Sequence, residues 1–279
     1  MKILIKLVLL LIIVVPISCA KDGKEKSLIK EIDQESEMIS AYQEGITSLE
    51  VGDPFYAAKK FLEAELLFPQ SDWAPKSALM AAYSYYIQDY YTQAIFNLER
   101  FILTYPKDNR MDYVHYLLAM CYYENIEGEK KDLQALIIAK KEFIFVIDNY
   151  PSTDFALDAK FKIDLINDVM ASKEMYLGRH YIKKEKWIPA INRFKNILND
   201  YDTTIYSEEA IHRLVEIHYK IGLEDEAKKY ANLLGYNYLS SEWYKRSYKI
   251  FNKKYKIQKI KSSKKEKNGL IEKFKNFFE

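Results

Sequence analysis

The sequence predicts an all-α fold, a superhelix of about five stacked helix pairs, and three observations carry that prediction. From Met38 onward apolar residues recur at i, i+3, i+4 and i+7, with few strand signals. Ala followed by an aromatic residue four positions later returns along the chain, and about twelve residues after each copy comes an aromatic–Pro step or its degenerate form. Composition agrees. In 279 residues, 49% hydrophobic and 29% charged exclude a wholly disordered or polytopic membrane protein, and 8 Gly and 7 Pro are too few for a turn-rich all-β chain.

Taken in chain order, residues 1–18 read as a lipoprotein signal peptide. Lys2 and Lys6 precede the apolar run from Leu7 to Val15, which is shorter than the roughly 20 residues of a membrane span. Ser18-Cys19 then resembles a bacterial lipobox, with Pro16 where a Leu-like residue is usual. Cleavage would leave Cys19 first, carrying a covalent diacylglycerol and N-acyl lipid, and its acyl chains would contribute about 0.8 kcal/mol of anchoring per buried methylene. An ordinary signal anchor with an incidental cysteine is the competing reading. Residues 19–37 read as a polar tether, and Ala20 beside the lipidated cysteine favours passage to the outer membrane if bacterial sorting rules apply. Cys121, in the apolar context Leu117–Tyr123, reads as a buried structural thiol.

Residues 38–250 hold the repeats. The motif occurs as Ala57/Phe61, Ala139/Phe143 and Ala190/Phe194, with Ala94/Leu98 and Ala227/Ala231 as weaker copies; the alanines step by 37, 45, 51 and 37 residues. The terminators Phe68-Pro69, Tyr105-Pro106, Tyr150-Pro151, Tyr201-Asp202 and Tyr238-Leu239 step by the same intervals. The second helix of each pair therefore has a fixed length, and the insertions fall elsewhere: a polar stretch from Glu124 to Asp132 and a long helix from about Thr153 to Leu177. This is the signature of tetratricopeptide repeats. A small residue permits close helix approach, an aromatic residue one turn later packs on the same face, and Pro stops the second helix. Gly45, Ala82 and Gly178 stand where the first helices must pack closely.

The first helices of such repeats line the concave face. Here they carry many of the 24 tyrosines, including Tyr83, Tyr85, Tyr86, Tyr113, Tyr116, Tyr122 and Tyr123, which suits an extended peptide or partner helix. Ordinary inter-helix packing is the alternative for each ring. No catalytic site is found: there is no Gly-rich phosphate loop, no Gly-x-Ser-x-Gly, no His-Glu-x-x-His and no Cys-x-x-Cys. His212 and His218 lie six apart on divergent helix faces, so no metal site is expected, and Glu208-Glu209 reads as a dipole partner on a solvated face. The formal charge of +2 is a cancellation. Residues 245–279 hold 13 Lys and Arg against three Glu, while residues 19–244 hold 27 against 37 Asp and Glu. No nucleic-acid partner is expected of so acidic a body. In the basic tail, 251–279, Leu270, Ile271, Phe274, Phe277 and Phe278 fall at helical spacing, open to reading as a membrane-surface helix, a partner-docking helix or a solubilising extension.

Six segments carry a resemblance. Glu99-Arg100-Phe101-Ile102-Leu103-Thr104-Tyr105-Pro106 with Tyr113-Val114-His115-Tyr116-Leu117 is similar to the BamD family of outer-membrane protein assembly factors. Asp158–Asp164, Lys173–Arg179, Ala190–Phe194 and Glu209–Leu214 resemble its alphaproteobacterial form, so that the match covers about 38–250. The resemblance implies a non-enzymatic lipoprotein on the periplasmic face of the outer membrane, without a cofactor beyond its lipid. It further implies that C-terminal repeats hold the last POTRA domain of BamA, with Arg193 pairing an acidic residue there, and that N-terminal repeats receive the C-terminal signal of unfolded β-barrel proteins. The signal groove maps to the helices around Tyr42, Tyr83, Tyr86 and Tyr116. Accessory lipoproteins of the complex are further expected partners. The rival readings are another periplasmic repeat lipoprotein, coordinating envelope or peptidoglycan assembly, and an enzyme whose repeats present substrate.

Overall fold

A computed structural model describes residues 23–124 and 133–252. The signal peptide, Cys19, most of the polar insert, and the tail from Lys253 with Leu270, Ile271, Phe274, Phe277 and Phe278 lie outside the described residues. Among those described, all regular structure is helical: α1 (Gly23–Glu50), α2 (Pro54–Leu67), α3 (Trp73–Tyr86), α4 (Tyr91–Thr104), α5 (Met111–Glu124), α6 (Gln134–Asn149), α7 (Asp154–Lys183), α8 (Trp187–Asp200), α9 (Ser207–Lys220), α10 (Glu224–Asn237) and α11 (Glu242–Phe251). The first ten form the five expected pairs. The chain divides into two compact units, one ending at Ile166 and the other starting at Asn167, and α7 contributes its first half to one and its second half to the other.

The marker alanines Ala57, Ala94, Ala139, Ala190 and Ala227 are all fully buried. Space for the aromatic partner comes from the facing helix. A Cβ placed on Gly45 would stand 2.7 Å from Phe61, and one on Gly178 would stand 2.5 Å from Phe194. In the second pair Ala82 replaces glycine and the smaller Leu98 replaces Phe, both in one core with Phe101, Val114, Leu118 and Cys121. The size of one residue is thus matched to that of the other, as close packing requires. The second unit has its own core, in which Phe194, Ile197, Leu214 and Ile217 meet Met175.

Two turns recur. Five residues before the marker alanine the backbone is left-handed, with φ of +84° at Gly52, +60° at Asp89, +54° at Glu185 and +86° at Gly222. Glycine adopts this region freely, whereas Asp89 and Glu185 occupy it at a cost of about 1 kcal/mol. At the other end, the terminating aromatics Phe68, Tyr105, Tyr150, Tyr201 and Tyr238 are the C-caps of α2, α4, α6, α8 and α10. The carbonyl of each accepts a hydrogen bond from the N–H three residues on, at Ser71, Asp108, Thr153, Thr204 and Ser241, over 3.0–3.1 Å. The hydroxyls of Ser71, Thr153 and Thr204 donate to the same carbonyls at 2.8, 2.9 and 2.7 Å. This turn explains why α8 and α10 end on schedule without Pro.

Three expectations change. The long helix runs on through Leu177 to Lys183, so the first helix of the fourth pair is the end of α7 rather than a separate element. α1 already begins at Gly23, within the stretch read as tether. Residues 245–251, counted with the basic tail, belong to α11, which Ser241 caps by accepting from the Trp243 N–H at 3.1 Å. No helix among the described residues is long and apolar enough to cross a membrane.

Candidate functional site

In the first unit, the first helices of three successive pairs surround an open groove of about 710 Å³. Tyr42 comes from α1; Trp73, Lys76, Leu79, Met80 and Tyr83 come from α3; Arg110 comes from the turn just before α5, and Tyr113 from the first turn of α5. Trp73, Lys76, Met80 and Tyr83 recur at helical spacing, which aligns them along one face of α3. The Tyr42 ring stands edge-on to Trp73 at 5.0 Å and to Phe61 at 5.3 Å, which fixes one wall against the core. Lys76 Nζ lies 4.8 Å from the centre of the Trp73 ring. Arg110 is aimed by Asp108, whose oxygens accept from Nε at 2.8 Å and Nη2 at 2.6 Å. That ion pair holds the Asp108 carboxyl below its ordinary range. Burial pushes the Tyr113 hydroxyl up to about 12. The groove therefore offers aromatic and aliphatic walls, the Lys76 ammonium and the Arg110 guanidinium that Asp108 already pairs.

Of the four tyrosines expected here, Tyr42 and Tyr83 line the groove and the other two do not. Tyr116 donates to Asp158 at 2.6 Å and packs on Phe143 and Phe155, while the partly buried Tyr86 packs against the core beside Tyr91. Both tie neighbouring helices together. Trp73, Lys76 and Arg110 were missing from the expected set, and Tyr113 was counted only among the concave-face rings; the stripe along α3 signalled the first two, whereas Arg110 depends on the turn after Tyr105.

The first helices of the second unit carry a different surface. Glu209, in the first turn of α9, is 7% exposed rather than solvated as its sequence context suggested, because two arginines converge on it. Arg179 from α7 makes a two-pronged contact, and Arg213 donates from Nε and Nη2 at 3.1 and 3.0 Å. Glu208 instead accepts from the Ser241 hydroxyl. Arg213 also reaches Glu216 at 2.7 Å and lies 5.6 Å from the Trp243 ring centre, and Arg246 lies 4.6 Å from the same centre. Burial pushes the Glu216 carboxyl up, but His212 and Arg213 outweigh it and hold it at about 2. His212 Nδ1 shares a 2.8 Å hydrogen bond with the fully buried Ser247, which seats α11 on α9. Arg193, on α8, donates to Glu174 at 2.9 Å and keeps 36% of its side chain exposed; Asn196 holds the other Glu174 oxygen at 3.0 Å.

Among the described residues no group of three or more His, Cys, Asp and Glu is placed to hold a metal ion. Cys121 is buried in the first core, and burial pushes its thiol up to about 12, far from a reactive thiolate. Among the described residues, the helix pairs, the aromatic groove and the ion ladder define a helical-repeat protein. Comparison with known proteins makes this specific. The model of the family described as the outer membrane lipoprotein YfiO matches residues 34–233. The outer membrane protein assembly factor BamD of Caulobacter vibrioides is 38% identical over 234 residues, covering 84% of this chain and 76% of that protein. BamD of Rickettsia prowazekii is 40% identical over 209 residues, 75% of this chain and 83% of that one, and BamD of Neisseria gonorrhoeae is 28% identical over 213 residues, 73% and 79%. The chain belongs to the BamD (YfiO) family of outer-membrane protein assembly factors.

Proposed function

We propose that this chain is a lipoprotein subunit of the machinery that assembles β-barrel proteins in the outer membrane. It is anchored to the periplasmic face through lipid on Cys19. It binds rather than catalyses. The groove of Tyr42, Trp73, Lys76, Tyr83, Arg110 and Tyr113 receives the C-terminal signals of unfolded barrel proteins: the rings take apolar side chains, and Lys76 and Arg110 meet a carboxylate. The second unit holds the POTRA domain of BamA, with the half-exposed Arg193 pairing an acidic residue of that partner. The observation that carries the reading is the aromatic groove, with Lys76 and Arg110 in its lining, in a chain that belongs to this family. Photo-crosslinkers placed at Tyr83 and at Asn192, beside Arg193, test it in whole cells. Unfolded barrel precursors are the expected products at the first position and BamA at the second, and Arg193→Ala is expected to reduce copurification with BamA. Crosslinks to neither, with unchanged copurification, would sink the assignment.

A further inference from the structure

The five complete pairs do not account for α11. It follows the C-cap of α10 by four residues, as α7 follows that of α6, so it stands at the register of the first helix of a sixth pair. Trp243 and Ser247 face α9, where Trp243 packs near His212 at 5.2 Å and Ser247 is fully buried. Tyr244, Tyr248 and Phe251, at i, i+4 and i+7, form another face beside α10. The Tyr244 ring approaches Gly235 so closely that a Cβ there would lie 2.7 Å away. Together with Lys228, Ala231, Asn232 and Asn252 these rings line an open cleft of about 340 Å³. In four of the five pairs the second helix packs along the first, and in the fourth Phe194 packs on Gly178 and Met175; α11 has no such helix among the described residues.

The chain that continues past this cleft has the pattern to fill it. Leu270, Ile271, Phe274, Phe277 and Phe278 fall on one face at helical spacing, with Phe274 four residues after Leu270, as Phe61 is four after Ala57. The exit point, Asn252, lies in the cleft wall itself. Residues 253–269 between it and Leu270 have a typical reach of about 20 Å, against about 15 Å for the length of α11. The third pair already tolerates a long connection, from Glu124 to Gln134. Charge favours the return. The connecting segment carries Lys253, Lys254, Lys256, Lys259 and Lys261, and the first turn of α10 carries Glu224, Asp225 and Glu226; Lys228 and Lys229 already pair with Asp225 and Glu226, and Glu224 is exposed.

We propose that residues 270–278 dock as a helix in the cleft between α10 and α11, completing a sixth pair and capping the repeat array with the chain's own C-terminal segment. A free repeat end is otherwise an exposed apolar surface. The test uses the full mature chain with Cys19→Ser, in which the buried Cys121 is shielded from reagent. Tyr248→Cys and Phe277→Cys are joined with a short bismaleimide. A crosslink within one molecule is expected, and Phe274→Asp should lower its yield at least about tenfold. Crosslinks only between molecules would assign the cleft to a second copy. A segment that becomes protected only with anionic phosphatidylglycerol vesicles would assign it to a membrane surface. Either result, or a yield that Phe274→Asp leaves unchanged, overturns the proposal. Hydrogen exchange on the chain without the cysteine pair guards against a disturbed α11: slowed exchange at 270–278 and 228–232, lost together in Phe274→Asp, is expected, and fast exchange at 270–278 refutes it.

Discussion

The two units use the same repeat to opposite ends on their first helices. In the N-terminal unit those helices present rings that leave space between them, and Lys76 and Arg110 share its lining. In the C-terminal unit the corresponding helices present arginines and glutamates that satisfy one another, from Arg179 through Glu209 and Arg213 to Glu216. The helix-pair frame decides where side chains stand, and the residue types decide whether the surface is an open groove or a closed ladder. The buried glutamates sharpen the contrast. Glu65 in the first unit has one arginine, Arg100, at 2.7 and 2.6 Å, with the Tyr105 hydroxyl at 2.8 Å. Glu209 in the second has two arginines.

The largest stability effect follows from that difference. Arg100→Ala strands a carboxylate that is 4% exposed with only a phenol for company, and should cost about 3 kcal/mol; Arg179→Ala leaves Glu209 with Arg213, and should cost about 1 kcal/mol. Urea unfolding followed by hydrogen exchange in each unit measures both, and equal losses would erase the distinction drawn between a single and a shared partner. Next comes the close packing that both units have in common. Gly45→Ala and Gly178→Ala each force a Cβ into a buried Phe ring and should cost about 2 kcal/mol apiece, in separate units. The smallest effect is a gain: Glu185→Gly relieves a left-handed backbone at an exposed residue and should add about 1 kcal/mol, whereas Gly222→Ala at the same repeat position should lose about as much.

The repeat frame was legible because its signals are local. Marker alanines, their aromatic partners and the five helix ends can be counted along the chain, and Gly45 and Gly178 stand at one distance, twelve residues, before Ala57 and Ala190. The turn that replaces Pro was equally local, in Ser71, Asp108, Thr153, Thr204 and Ser241, but its signal is a residue three positions after the aromatic rather than the next one. What stayed hidden depends on partners far away in sequence. Glu209 looks like a solvated first-turn acid until Arg179, thirty residues earlier, closes on it. Tyr116 looks like a groove residue until Asp158, 42 residues later, takes its hydroxyl. α11 was lost in the charge of the residues after it, although Trp243, Ser247 and the cap at Ser241 all mark a helix with one face to bury.

Binding of a peptide bearing the C-terminal signal of a barrel protein, to the lipid-free chain and to two variants, tests the division of labour most directly. If the first unit is the receptacle, Trp73→Ala should weaken binding by about 2 kcal/mol, roughly thirtyfold, and Arg193→Ala should leave it unchanged. Unchanged binding in Trp73→Ala together with a comparable loss in Arg193→Ala would contradict the account.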